Sequence, residues 1–65
     1  MTFADYLREV TKQKVAHTDW RMGQTYFNVL HAHRPTIANN MPKTLDPFYD
    51  DALVPYFLEY VEAMW

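Results

Sequence analysis

The apolar residues of this chain fall into three blocks, each at helical spacing. Phe3, Tyr6, Leu7 and Val10 share one face of a first helix. Thr2, with Asp5 three residues on, supplies a capping-box start. The stripe stops at Gln13 and Lys14, so this helix is expected to end between Gln13 and His17. In the second block Met22, Tyr26, Val29, Leu30 and His33 form one face, widened by Phe27. Thr18 or Asp19 is expected to cap it. The third block is the most regular: Val54, Phe57, Leu58, Val61, Met64 and Trp65. Burying five such side chains contributes about 1.5–3 kcal/mol each before chain entropy is counted.

Between the second and third blocks the punctuation is dense. Pro35 forces Arg34 out of the helical region and is suited to opening a short helical turn, which Asn39 and Asn40 stop. Residues 41–44 read as a loop. Residues 46–51 combine a cap (Asp46), a first-turn proline (Pro47), two aromatics (Phe48, Tyr49) and two acids (Asp50, Asp51). Asp50 or Asp51 can cap the last helix. Pro55 conflicts with a helix that begins at Ala52, because it then removes a needed amide. A short turn over residues 51–54 that runs into a helix from Pro55 removes the conflict. No run alternates in period two, and no Asn-Gly or Asp-Gly hairpin turn occurs. The expectation is an all-α single domain over residues 1–65, a small bundle of three main helices with one or two short helical turns between the second and third.

Composition narrows this further. A chain of 65 residues is near the lower limit for folding on one core. It has no cysteine, which excludes disulfides and thiolate zinc sites. Apolar residues at 49% and aromatics at 17% supply burial instead. The single glycine, Gly23, falls in the first turns of the second helix. Either another element packs against its bare backbone, or it is a tolerated first-turn glycine. The N-terminus lacks a basic start and an apolar run, and no segment reaches the ~20 apolar residues of a membrane span. A cytoplasmic location is expected. The net charge of −2 is uneven. Residues 1–34 carry +2 and residues 35–65 carry −4, so the halves could attract each other or a second copy of the chain.

Little in the sequence points to catalysis. No nucleophile motif, phosphate-binding glycine loop or zinc spacing is present. His31 and His33, two apart on a helix, face different ways. His17 would need to be gathered with Asp50 or Asp51 to hold a metal. Asp46 and one of Asp50 and Asp51 are explained as caps. No catalytic residue, metal or cofactor is therefore expected. A nucleic-acid reading would use the helix around residues 19–34, but Arg21 and Arg34 are few and far apart and the second half would repel phosphate. It stands as the alternative.

The aromatic surplus is the better clue. Tyr and Trp suit binding interfaces because they combine contact area with a polar end. Tyr56 and Tyr60, four apart and off the apolar stripe of the last helix, either form such a surface or cover the edge of the core. The expected protein contacts are Trp20, Tyr49, Tyr56, Tyr60 and Trp65.

The run Trp20, Arg21, Met22, Gly23, Gln24, Thr25, Tyr26, Phe27, Asn28, Val29, Leu30, followed by residues 46–51, resembles a group of short proteins of bacteria, prophages and phages. In that group an Arg-x-Gly-Gln-x-x-Phe-Asn-x-Leu segment precedes an Asp-Pro-Phe-Tyr segment. The likeness covers residues 19–61. It implies that Arg21, Gly23, Gln24, Asn28, Asp46, Pro47, Phe48 and Tyr49 form one structural unit, with Gln24 and Asn28 meeting the turn at residues 46–49. It further implies an inhibitor or adaptor of a host or defence protein, acting in the host cytoplasm; independently of the resemblance, a homodimer is a further option.

Overall fold

The computed structural model describes all of residues 1–65 and contains helices only. They run in the order α1 (Phe3–Ala16), α2 (Met22–His33), α3 (Pro35–Asn39) and α4 (Val54–Met64), with 3₁₀ turns at Lys43–Leu45 and Asp51–Leu53. The three long helices are the three apolar blocks of the sequence. No helix is long and apolar enough to cross a membrane.

The start of α1 is built as expected. The Thr2 hydroxyl accepts from the Asp5 amide at 3.1 Å, and the Asp5 carboxylate accepts from the Thr2 amide at 3.0 Å. The helix ends at Ala16, where the apolar stripe has already run out.

The start of α2 differs from expectation. Neither Thr18 nor Asp19 caps it; the N-cap is Arg21. Residues 18–20 are instead drawn into a turn over the end of α1. Lys14 Nζ donates to the carbonyls of Thr18 (3.3 Å) and Trp20 (2.6 Å), and the His17 and Trp20 rings stack with centroids 3.8 Å apart. The first turn of α2 holds no acid. Its exposed amides are satisfied by Gln24, whose side chain accepts from Arg21 N at 3.3 Å, and by Asp51, which accepts from Gly23 N at 2.9 Å.

Pro35 ends α2 and opens α3 as expected. At α4 the Asp50 side chain caps the 3₁₀ turn Asp51–Leu53 by accepting from Ala52 N at 3.0 Å. That turn leads directly into α4, with Pro55 in its first positions, where the lost amide costs nothing.

Tyr6, Val10, Val29, Leu30, Ala38, Met41, Phe57 and Val61 form the core. Within α4, Phe57 and Val61 are fully buried, while Met64 is outside the core and exposed. His33 and Met22, expected on the inner face of α2, are also exposed. Tyr6 is buried across its whole length and its hydroxyl donates to the Tyr26 carbonyl at 2.7 Å, tying α1 to α2. Every buried side-chain polar atom has a partner. The charged halves are not joined by ion pairs: the one salt bridge links Asp5 and Arg8 within α1.

Candidate functional site

The residues marked by the sequence divide into a joint, a clamp and two surface depressions. The joint is the docking of residues 46–51 onto the start of α2. Asp46 accepts from Phe48 N at 2.9 Å, and Asp50 N donates to the Pro47 carbonyl at 3.1 Å, so Phe48 and Tyr49 sit in a single hydrogen-bonded turn. Arg21 donates to the Phe48 carbonyl at 2.6 Å, and its guanidinium lies 5.7 Å from the centre of the Tyr49 ring. Phe48 meets Phe27 edge-on at 6.1 Å.

Gly23 is the contact point. A Cβ there would lie 2.0 Å from the Pro47 carbonyl oxygen and 3.0 Å from the Asp51 carboxylate. So an element does pack against the bare glycine, and the contact is a main-chain carbonyl, that of Pro47. Arg21, Gly23, Asp46, Pro47, Phe48 and Tyr49 thus form one unit, joined by Gln24 through the Arg21 amide. Asn28 does not belong to it. The turn meets Arg21, Gly23 and Phe27, and Asn28 faces a separate cleft. The expectation of a Gln24 and Asn28 docking face is corrected on this point: Gln24 is held back on its own helix start, and the close approach needs the absent side chain of Gly23.

The clamp gathers the two chain ends. The Met1 carbonyl accepts from Arg34 and from the Trp65 indole N–H, both at 3.1 Å. The Arg34 guanidinium lies 4.4 Å from the Trp65 ring, which also packs on Phe3 and Tyr6 at 6.0 and 5.2 Å. Trp65 therefore works within the fold while staying half-buried. Periodicity placed it on the apolar stripe, but nothing local announced its partners.

The first depression is an open groove of 330 Å³ along the outer side of α4, between Leu45, Tyr56, Glu59, Tyr60 and Ala63. Tyr56 is 62% exposed and Tyr60 half-buried. Glu59 is the only charged residue in the lining. The second depression is a cleft of 210 Å³ between α1 and α2, with Trp20 at its edge and Glu9, Gln13, Asn28, Val29 and His33 among its walls. Tyr49, 84% exposed, stands apart on the joint. The five expected contact residues hence occupy four places, and only Tyr56 and Tyr60 share one.

Four of the six basic side chains are engaged inside the chain: Arg8 with Asp5, Lys14 with two carbonyls, Arg21 with Phe48 and Arg34 with Met1. No three His, Asp or Glu side chains are gathered closely enough to hold a metal ion. Burial pushes the Tyr6 phenol well above its ordinary range, with the neighbouring Tyr26 adding to the rise. The Thr2 backbone amide, then the side chains of Arg8 and Thr2, hold the Asp5 carboxyl below its ordinary value.

Comparison with family models, with curated proteins and with solved structures finds no match.

Proposed function

We propose that this chain is a non-catalytic protein-interaction module that binds through the outer face of α4. The observation that carries this reading is the groove between Tyr56, Tyr60, Leu45 and Ala63. Two tyrosines four residues apart stand on the same side of a helix whose other side is the core. Their rings offer contact area at low entropic cost and their hydroxyls offer hydrogen bonds. Glu59 in the lining favours a partner that brings a basic group to an otherwise apolar contact. The likeness to phage and prophage proteins suggests a host or defence protein in the cytoplasm as that partner, inhibited or modulated by occupation of its surface. A second copy of the chain is the other occupant to test.

The experiment is capture from a host lysate alongside sedimentation of the purified protein, each with the parent and with Tyr56→Ala plus Tyr60→Ala. Loss of capture or of self-association in the double variant supports the reading. If both are unchanged, the surface is the wrong one. The nucleic-acid alternative is checked by a mobility-shift assay. Binding that vanishes between about 50 and 200 mM salt would replace the protein-interaction reading.

A further inference from the structure

The cleft between α1 and α2 is separate from the α4 groove and has a different chemistry. Its volume is 210 Å³, with Val29 buried in its wall. That is below the roughly 300–1,000 Å³ of pockets that enclose drug-sized ligands. At ~30 Å³ per water it holds about seven waters, enough for a side chain but not for a nucleotide. The lining contains one acid, Glu9, and neither lysine nor arginine. Glu9 is half-buried and accepts one hydrogen bond, from Gln13 at 3.1 Å, and it has no cationic partner. Asn28, Trp20 and His33 line the same cleft.

Trp20 is held in place from two sides. Its ring stacks on His17, and its carbonyl is gripped by Lys14 Nζ at 2.6 Å. This anchoring displaced the local caps of α2, and it fixes an indole beside an unpaired carboxylate.

We infer that this cleft is a binding site for a guanidinium group, such as an arginine side chain presented by a partner. A guanidinium is planar, carries five donors and stacks on an indole face. Glu9 supplies the opposite charge, and the Asn28 side-chain carbonyl supplies further lone pairs. A phosphate-bearing ligand is disfavoured by Glu9 and by the lack of a basic residue. A lysine ammonium would match the charge but lacks the delocalised plane that stacks on an indole and the five donors that can serve several acceptors at once.

The test uses the full chain and acetyl-arginine amide as the probe, with the amides of acetyl-lysine and acetyl-norleucine as controls. Amide and indole N–H signals are followed by NMR. The expected result is saturable movement of the Trp20 indole and Asn28 side-chain signals in the millimolar range, with Trp65 unmoved. Binding of the arginine probe should exceed that of the lysine probe several-fold and be absent with norleucine. Glu9→Gln should weaken it at least tenfold. Asn28→Ala is the second variant should Glu9→Gln disturb the fold, and it should weaken binding a few-fold. The inference is overturned if the Trp20 signal does not move up to tens of millimolar, if the three probes act alike, or if a folded Glu9→Gln variant binds as the parent does. None of these outcomes bears on the α4 surface, which the Tyr56 and Tyr60 substitutions test separately.

Discussion

Helices α1 and α2 start in opposite ways. At α1 everything needed lies within four residues: Thr2 and Asp5 satisfy each other's backbone amides. At α2 the decisive acceptor, Asp51, comes from 28 positions further along the chain. The first is a local device that needs no contact outside its own first turn. The second exists only once residues 46–51 have docked. One Asp51 carboxylate satisfies a free amide of α2 and ties to it the turn that leads into α4. The α2 start is therefore a tertiary joint as well as a helix cap, and damage to it should spread to α4. Damage to the α1 cap should stay in α1.

The largest effect is expected at Gly23. Alanine would normally strengthen a helix by up to about 1 kcal/mol. Here its Cβ would meet the Pro47 carbonyl at 2.0 Å, and a main-chain atom cannot simply rotate away. Gly23→Ala should destabilise the protein by roughly 1–3 kcal/mol in spite of the propensity gain. For a chain this short that lowers the melting temperature by on the order of 10 °C. Thermal unfolding by circular dichroism checks it. An unchanged or higher melting temperature would mean that the joint is not closed as described.

Asp51→Ala removes the acceptor without adding bulk. The loss combines a charge-assisted hydrogen bond and the favourable placement of an anion at a helix start, together about 1–2 kcal/mol. Asp51→Asn keeps an acceptor and should lose about half as much. Amide exchange sharpens the comparison. Asp51→Ala should speed exchange of the Gly23 amide and of the first turns of α4 together, and leave the first turn of α1 alone.

This contrast also explains what could be read from the chain. The three long helices, the Thr2 cap, the break at Pro35 and the place of Pro55 near the start of α4 follow from local rules, and all are present. The start of α2 lies later than the sequence predicts, because Thr18 and Asp19 are good local caps and nothing nearby shows that Lys14 and His17 pull residues 18–20 into a turn. For the same reason the partners of Trp65 are not legible, although its place on the apolar stripe is. Its partners, Met1 and Arg34, lie at the far end of the sequence and at the end of another helix. A long-range hydrogen bond leaves no periodicity behind. The candidate contacts were legible as a class, surplus aromatics, but their division among joint, clamp, groove and cleft depends on the packing.

Tyr6 is the link between the two helices being compared, and it gives them a shared response to alkali. Its folded-state phenol is pushed up from the ordinary value of 10 by burial. A raised folded-state value means that the stabilisation is complete below about pH 10 and is lost as pH rises beyond it, since ionisation is easier in the unfolded chain. Urea unfolding midpoints should fall between pH 9 and 11. Tyr6→Phe should remove most of that fall. At pH 7 it should cost about 1 kcal/mol for the lost hydrogen bond to the Tyr26 carbonyl.

The smallest effects belong to the α1 cap. Thr2→Ala should cost about 0.5–2 kcal/mol, toward the lower end because the cap is exposed. Its signature is in acid. The Asp5 carboxyl is held below its ordinary value of 3.8 first by the Thr2 backbone amide, then by Arg8 and the Thr2 side chain. A lowered folded-state value gives stabilisation that is present above about pH 4 and fades as pH falls through the folded-state value. Asp5→Asn should therefore flatten the acid limb of the stability curve, and Thr2→Ala should flatten it in part. The Gly23 and Asp51 amide-exchange patterns should be unaffected by either. If Thr2→Ala loosened α4 as Asp51→Ala is expected to, the distinction between a local cap and a tertiary joint would fail.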